Sequence, residues 1–155
     1  MQHEEGLVFG GGEPLLYSDF IKEFIKKYTK TGWKFTLETS LNVKKESIEN
    51  IIHCIDYFIV DTKDMDKTRY ELYTKGSYDL FLSNLKYLLE TVGADKIRVR
   101  VPKIPKLNTY ADVRLNYELL KNMGFTEIEI FDYIEIDKHK RISDVTLKNK
   151  NDFVD

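Results

Sequence analysis

The sequence predicts an α/β fold, a partial barrel of about five parallel β/α units. Two observations carry this prediction: strand-like apolar runs alternate with amphipathic stretches along the chain, and charged residues alternate with apolar ones inside the strands. A parallel sheet covered by helices on both faces would have nearly continuous apolar strands. The alternation therefore indicates one face packed on helices and one polar face.

Strands are predicted where short apolar or alternating runs are bounded by polar residues and glycines. The first precedes three consecutive glycines, and each later one follows a predicted helix. Right-handed crossovers between parallel neighbours are expected from this order. The predicted strands are Leu7–Phe9, Trp33–Glu38, Tyr57–Asp61, Ile97–Pro102 and Glu127–Tyr133.

Four amphipathic stretches are predicted to form the connecting helices. The first is predicted to be capped by Ser18 and to end at Gly32, and a weaker second one covers about Lys45–His53. The third and fourth end at Gly93 and Gly124, because glycine is the usual residue just after a helix. The predicted core stripes are Phe20, Phe24, Ile25 and Tyr28; Leu82, Leu85, Leu88, Leu89 and Val92; and Leu115, Leu119, Leu120 and Met123.

Charged side chains share one predicted face of the sheet. Burying them under helices would carry a heavy desolvation cost. Two interpretations therefore stay open: the wet lumen of an open barrel that holds a polar ligand, or an α/β sandwich whose solvated face carries ordinary ion pairs. The residues concerned are Glu38, Asp61, Lys63, Arg98, Arg100 and Glu129.

Composition excludes several classes of protein. The 155 residues suffice for one domain, predicted as a barrel over residues 1–137 followed by a polar tail over 138–155. A net charge of −2 argues against a nucleic-acid binder, and no apolar stretch is long enough to span a membrane. The single cysteine, Cys54, excludes an internal disulfide and is typical of a cytoplasmic protein. Its helical surroundings indicate a small buried apolar residue.

Polar motifs follow the first four predicted strands. Gly10–Gly12 come directly after the first strand, and such a turn exposes backbone N–H and C=O groups to a ligand. Glu38–Ser40, Asp61–Lys63 and Arg100–Asn108 stand at the ends of the next three. Because β/α architectures build their sites at the carboxyl ends of strands, these motifs are expected to lie together.

These motifs resemble those of the glycyl radical enzyme activating enzymes, such as pyruvate formate-lyase activating enzyme, in the radical S-adenosylmethionine (SAM) superfamily. The similarity runs from about Gly6 to Tyr133. GGGEPLL resembles the family's SGGEP with paired leucines, ETS its DTSG or DTNG, DTKDMD its D-I-K element, and RVPKIPKLN its R-x-P-x-I-P-G-x-N. Lys106 stands where glycine is usual, and Ile134 stands where the family's E-L-L-P-Y-H has histidine.

The resemblance implies a partial (β/α)6 barrel with SAM in its lumen. The Gly-Gly-Glu turn would bind the methionine amino group, and the D-x-K element would serve the carboxylate end, partly through a monovalent cation. Glu38 and Thr39 are candidate cation ligands, and Arg100 would complement the SAM carboxylate. Purely structural roles also remain open: Asp61 and Lys63 as a local ion pair, and Glu13 as an acid favoured at the start of a helix. The implied SAM-binding residues are Gly11, Gly12, Glu13, Glu38, Thr39, Asp61, Lys63 and Arg100.

The family's chemistry also needs a 4Fe–4S cluster held by three cysteines, usually in a CxxxCxxC segment. This chain has only Cys54 and cannot assemble the cluster alone, so no catalytic residue is assigned. Three interpretations stay open. The chain is part of an activase that acts on a glycyl radical enzyme partner, a natural cluster-free SAM- or nucleotide-binding protein, or a non-catalytic partner-binding module. Loss of a preceding β/α unit would leave the first strand at an open edge, so self-association there is expected.

Overall fold

Five strands and five helices lie along residues 6–133, the part of the chain that this computed structural model describes, and two of the helices follow one another between the third and fourth strands. The strands are β1 (Gly6–Phe9), β2 (Lys34–Thr39), β3 (Tyr57–Asp61), β4 (Ile97–Lys103) and β5 (Glu127–Asp132). The helices are α1 (Ser18–Tyr28), α2 (Lys45–Glu49), α3 (Lys67–Thr74), α4 (Tyr78–Val92) and α5 (Tyr110–Met123). Short 3₁₀ turns at Pro14–Tyr17, Thr29–Thr31, Ile52–Cys54 and Ala94–Lys96 join them.

The strands form one parallel sheet in the order β1-β2-β3-β4-β5. Spatial order therefore equals chain order, and every crossover advances in the same direction. Right-handed crossovers of this kind place all the helices on one face of the sheet. This singly wound arrangement is that of a partial β/α barrel rather than a doubly wound sheet, as the alternation within the strands predicted.

The two faces of the sheet differ as expected. Phe35, Leu37, Val60 and Val99 point to the helices and are buried in the core. The alternate positions on the other side, here called the charged face, carry half-buried ionised side chains such as Arg100. The helices cover the apolar face with core residues that include Ile21, Ile25, Ile48, Leu85, Leu88, Val113 and Leu120.

Two of the predicted helix faces are wrong in part. In α1, Ile21 and Ile25 are buried, but Phe20 is exposed; Ser18 is the first helical residue and accepts a hydrogen bond from Asn50 instead of capping the helix. In α5, Leu115 and Leu119 are exposed, and the buried stripe is Val113, Asn116 and Leu120. The spacing of the leucines predicted a different face, because the buried stripe has a polar residue, Asn116, at its centre.

Other differences concern short elements. The second helix ends at Glu49 and gives way to a 3₁₀ turn, where Cys54 is half-buried rather than buried. The sequence analysis missed α3, because Tyr70 is its one buried residue and its sequence has almost no amphipathic periodicity. The glycine stops are confirmed: Gly32 and Gly124 adopt left-handed φ values of 76° and 107° at the ends of their helical segments.

Candidate functional site at the carboxyl ends of the strands

A cavity of about 270 Å³ lies at the carboxyl ends of the first three strands. Its lining brings together the glycine turn after β1, the end of β2 and the D-x-K element after β3. The lining residues are Gly11, Gly12, Glu38, Thr39, Ser40, Asp61 and Lys63. Every SAM-binding residue implied by the resemblance is among them except Glu13 and Arg100, and both of these hydrogen-bond to lining residues. Ser40, which was not among the implied residues, also lines the cavity.

The glycine turn owes its composition to backbone geometry. Gly11 and Gly12 have φ values of 84° and 61°, in the left-handed region that side chains with a Cβ rarely adopt. A Cβ at either position would meet no atom within 4 Å, so the glycines face open space. The turn therefore presents bare main chain at the edge of the cavity, as the three-glycine run predicted.

Glu13 fastens this turn to the end of β2. Its Oε1 accepts hydrogen bonds from the Leu15 amide at 3.2 Å and the Thr39 hydroxyl at 2.7 Å. Its Oε2 accepts from the Ser40 amide at 2.9 Å and the Ser40 hydroxyl at 2.6 Å. A carboxylate offers about four acceptor positions, so these donors satisfy it. In this structure Glu13 is a helix-start acid that also ties two loops together, and it does not line the cavity.

Charged residues from β2, β3 and β4 form a compensated network beside the cavity. Arg100 donates from Nε to Asp61 at 2.7 Å and from Nη2 to Glu38 at 2.5 Å. Lys63 Nζ lies 3.2 Å from the second Asp61 oxygen. The Arg100 guanidinium also lies 5.5 Å from the centre of the Phe131 ring. Two carboxylates thus face two cations, and Arg100 is committed to neighbours on the sheet.

The network keeps Asp61 and Arg100 ionised. Burial is the largest influence on Asp61 and would raise its pKa, but the hydrogen bonds and charges of Arg100 and Lys63 together outweigh it and hold the pKa below its usual value. The hydrogen bond to Asp61, followed by the charges of Asp61 and Glu38, raises the pKa of Arg100 despite its partial burial. At neutral pH the site therefore offers ionised groups of both signs.

The loop that carries Lys63 is held by hydrogen bonds to the sheet and by an ion pair between buried Asp64 and half-buried Arg69. Lys63 has a left-handed φ of 57°, and the amide and hydroxyl of Thr62 both donate to the Arg100 carbonyl. Asp64 is fully buried and accepts two hydrogen bonds from Arg69, at 3.0 and 3.2 Å. Sequence analysis did not single out this pair. The signal available was a second acid in DTKDMD followed by an arginine on the next helix.

The loop formed by the R-x-P-x-I-P element is stabilised by hydrogen bonds of the Asn108 side chain. The Asn108 side chain accepts from the Ile104 amide at 2.8 Å and donates to the Pro102 carbonyl at 3.0 Å. Lys106, where the family usually has glycine, adopts a left-handed φ of 63°. Ile134, the position of the family's histidine, lies outside the described residues. The geometry therefore accounts for the usual glycine but does not test the histidine position.

A second charged cluster lies further from the cavity, toward the amino ends of the strands. Arg98 pairs with Glu127, whose other oxygen accepts a hydrogen bond from Tyr57. Burial and the hydrogen bond to Glu127 raise the pKa of Tyr57 to about 12.

Within residues 6–133 no three His, Cys, Asp or Glu side chains are grouped to hold a metal ion. In the same range, no helix is both long and apolar enough to cross a membrane.

Similarity to known proteins agrees with the motifs. No protein-family model matches the chain. It is 37% identical over 103 residues to the (2S)-3-sulfopropanediol dehydratase activating enzyme of Klebsiella oxytoca, covering 66% of this chain and 32% of that protein. It is 32% identical over 139 residues to the trans-4-hydroxy-L-proline dehydratase activating enzyme of Clostridioides difficile, covering 87% and 45%. The chain thus spans less than half the length of these relatives.

Solved structures share the fold. A domain of the pyruvate-formate lyase-activating enzyme from Bacteroides vulgatus superposes with a TM-score of 0.58 at 20% identity, over 82% of this chain and 99% of that one. Coproporphyrinogen III oxidase from Escherichia coli, described as a radical SAM enzyme, gives 0.65 at 14% identity, over 85% and 32%. The singly wound sheet therefore has the partial β/α barrel fold of these solved structures. Within that class, the chain is homologous to the glycyl radical enzyme activating enzymes.

Proposed function

We propose that the chain is the SAM-binding portion of a radical SAM activating enzyme whose partner is a glycyl radical enzyme. The observation that carries this proposal is the cavity at the strand ends, where the glycine turn, Glu38, Asp61 and Lys63 converge. Its volume and mixed charge suit the amino acid end of SAM, which bears one ammonium and one carboxylate. The similarity to activating enzymes supports the same assignment.

The proposed roles follow from which polar groups already hydrogen-bond to other residues of the protein. Main-chain carbonyls of the Gly11–Gly12 turn and the Glu38 carboxylate would accept hydrogen bonds from the ammonium. Lys63, which lines the cavity, would meet the carboxylate directly. Arg100, which holds Glu38 and Asp61, would position those two carboxylates rather than contact SAM itself. Glu13 would act through the turn, because its hydrogen bonds are used within the protein.

The 4Fe–4S cluster of the family needs ligands that this chain does not contain. The chain contains one cysteine, so the three thiolate ligands would have to come from polypeptide outside these 155 residues. With such a cluster present, SAM would supply the radical chemistry that the resemblance implies, namely abstraction of a hydrogen atom from a glycine of the partner enzyme. The residues described here would bind and orient the amino acid end of SAM and keep ionised groups around it.

A second candidate function is a cluster-free protein that binds SAM without catalysis. The presence of Ile134 where the family has histidine, and of Lys106 where it usually has glycine, favours this function. Under this proposal SAM binds without any cluster segment. Adding the cysteine segment of a homologous activating enzyme would then leave SAM affinity unchanged.

Calorimetric titration of SAM into the 155-residue chain tests the shared core of both proposals. Lys63→Met should weaken binding about tenfold or more, because a charge-assisted contact is lost. Lys67→Met is the matched control, since Lys67 pairs with Asp79 on the surface and should leave binding unchanged. Equal losses in both variants would overturn the assignment of Lys63. Absence of SAM binding both alone and with a reconstituted cysteine segment would overturn the proposed function.

A further inference from the structure

The loop that follows β3 is anchored to two helices just beyond Lys63. The Met65 amide donates to the Asn116 side chain on α5 at 3.2 Å, and the Met65 carbonyl accepts from the Tyr78 hydroxyl on α4 at 2.8 Å. Of residues 62–65, Lys63 is the one that lines the candidate SAM cavity. The cavity therefore receives the Lys63 side chain from a main chain that is fixed on its far side.

Asp64, the residue next to Lys63, is fully buried and accepts four hydrogen bonds. Arg69 on α3 donates from Nε at 3.0 Å and from Nη2 at 3.2 Å. The Asp66 amide donates at 2.8 Å and the Asn108 side chain at 3.4 Å. Two of the four bonds thus come from Arg69, which also carries the opposite charge. Because a buried carboxylate without its cation is strongly destabilising, the position of Asp64 depends on Arg69.

Arg69 is held in turn by the start of α5. Its Nη1 lies 3.2 Å from a carboxylate oxygen of Asp112. Asp112 belongs to the capping box of α5, where its other oxygen accepts from the Thr109 amide at 2.8 Å. The Arg69 guanidinium therefore bridges the buried acid beside Lys63 and the first turn of α5, and both ends fix its orientation.

We propose that Arg69 is a positioning residue for SAM, because through Asp64 it fixes the loop that places the Lys63 ammonium in the cavity. This inference rests on the proposed function, which assigns Lys63 to the carboxylate of SAM. The φ of 57° at Lys63 lies in the left-handed region and persists only where the surroundings support it. Arg69 does not line the cavity, so its influence on the ligand passes through the loop.

A double-mutant cycle, with SAM titrated into the 155-residue chain, tests this role. Arg69→Met should weaken SAM binding about tenfold when Lys63 is present. In a Lys63→Met background the same change should leave the remaining affinity unchanged, because the ammonium that Arg69 positions is gone. Arg114→Met, at an exposed arginine on α5, is the matched control and should change the affinity in neither background.

Two outcomes of this cycle would overturn the proposal. One is an unchanged affinity in Arg69→Met, and the other is an equal loss in both backgrounds, which would show a purely structural role. If Arg69→Met does not fold, Arg69→Lys repeats the cycle. It keeps a cation beside Asp64 but loses the two-pronged geometry, so it should weaken binding about threefold, again only when Lys63 is present.

Hydrogen exchange without any ligand separates this proposal from the proposed function. The Met65 amide should exchange about tenfold faster in Arg69→Met, whereas the Phe35 amide, which donates to Asp56 on another loop, should not change. Unchanged exchange at Met65 would overturn the proposal even if SAM binds. Faster exchange at Met65 in a chain that does not bind SAM would support the role of Arg69 in holding Lys63 and would count against the proposed function alone.

Discussion

Lys106 holds a backbone conformation that its side chain disfavours. Its φ of 63° lies in the left-handed region, where residues with a Cβ are strained. Lys106→Gly should therefore raise the free energy of unfolding by about 0.5–1 kcal/mol, although glycine is more flexible in the unfolded chain. Urea denaturation measures this change. Lys86→Gly, in the exposed middle of α4, is the control and should lower stability by about 1 kcal/mol. Equal losses at both positions would contradict the strain at Lys106.

Asp61 gives the fold a pH dependence of known sign. Its pKa is lowered in the folded state, so its contribution to stability is present above its unfolded pKa of about 3.9 and is lost as pH falls through the lower folded value. Asp61→Asn should cost about 1–2 kcal/mol at pH 7. The difference from the unmodified chain should shrink as pH falls from 5 to 2.

Chemical denaturation at a series of pH values measures this dependence. Asp79→Asn is the control, since the Asp79 side chain is 73% exposed and pairs only on the surface. A constant difference between Asp61→Asn and the unmodified chain across that range would show that the ion pairs of Asp61 do not govern the effect.

At the level of elements, Glu13 joins the glycine turn to β2. Glu13→Ala should lower the free energy of unfolding by about 2 kcal/mol, because it leaves several half-buried donors without their acceptor. The Ser40 amide, which donates to Glu13, should then exchange its hydrogen faster. Glu23→Ala, an exposed acid on α1, should change neither quantity. If Ser40 exchange were unaffected, Glu13 would not fasten the turn.

The elements also show what the sequence could predict. The strands were predictable because period-two alternation is visible in residues such as Arg98, Val99 and Arg100, and the site followed because strand ends share one edge of the sheet. The faces of α1 and α5 were less predictable, because the core accepted Ser18 and Asn116 and left Phe20 and Leu115 exposed. Which side chains are buried depends on partners such as Asn50, which lies far from Ser18 in the sequence.

The contacts within the candidate site could not be predicted from the sequence either. The residues of the charged network could be named from their motifs, but their pairing depends on strand register. Asp61 lies opposite Arg100 in the ladder, and the side chain of Arg100 then reaches Glu38 two strands away. Nothing in the sequence shows that these neighbours would engage Arg100 so fully.

For the whole molecule, the open edge at β1 predicts self-association. β1 is the terminal strand of the sheet described here, and Val8 on it is largely exposed. Sedimentation velocity should show a dimer that grows with protein concentration. Val8→Lys should suppress it, since a charge on an edge strand opposes pairing. Leu72→Lys, an equally exposed position on α3, should not. A clean monomer at high concentration would contradict this prediction.

The identity of spatial and chain order has a consequence for synthesis on the ribosome. A nascent chain acquires β1, β2 and β3 before β4 exists, so Glu38 and Asp61 emerge ahead of the arginine that neutralises them. Until Arg100 is available, Lys63 is the one cation of this network that faces the two carboxylates, and the growing sheet lacks the charge that joins β2 to β4. The emergence of Arg100 from the ribosome is thus the moment at which the first three strands gain the cation that holds their charged face together.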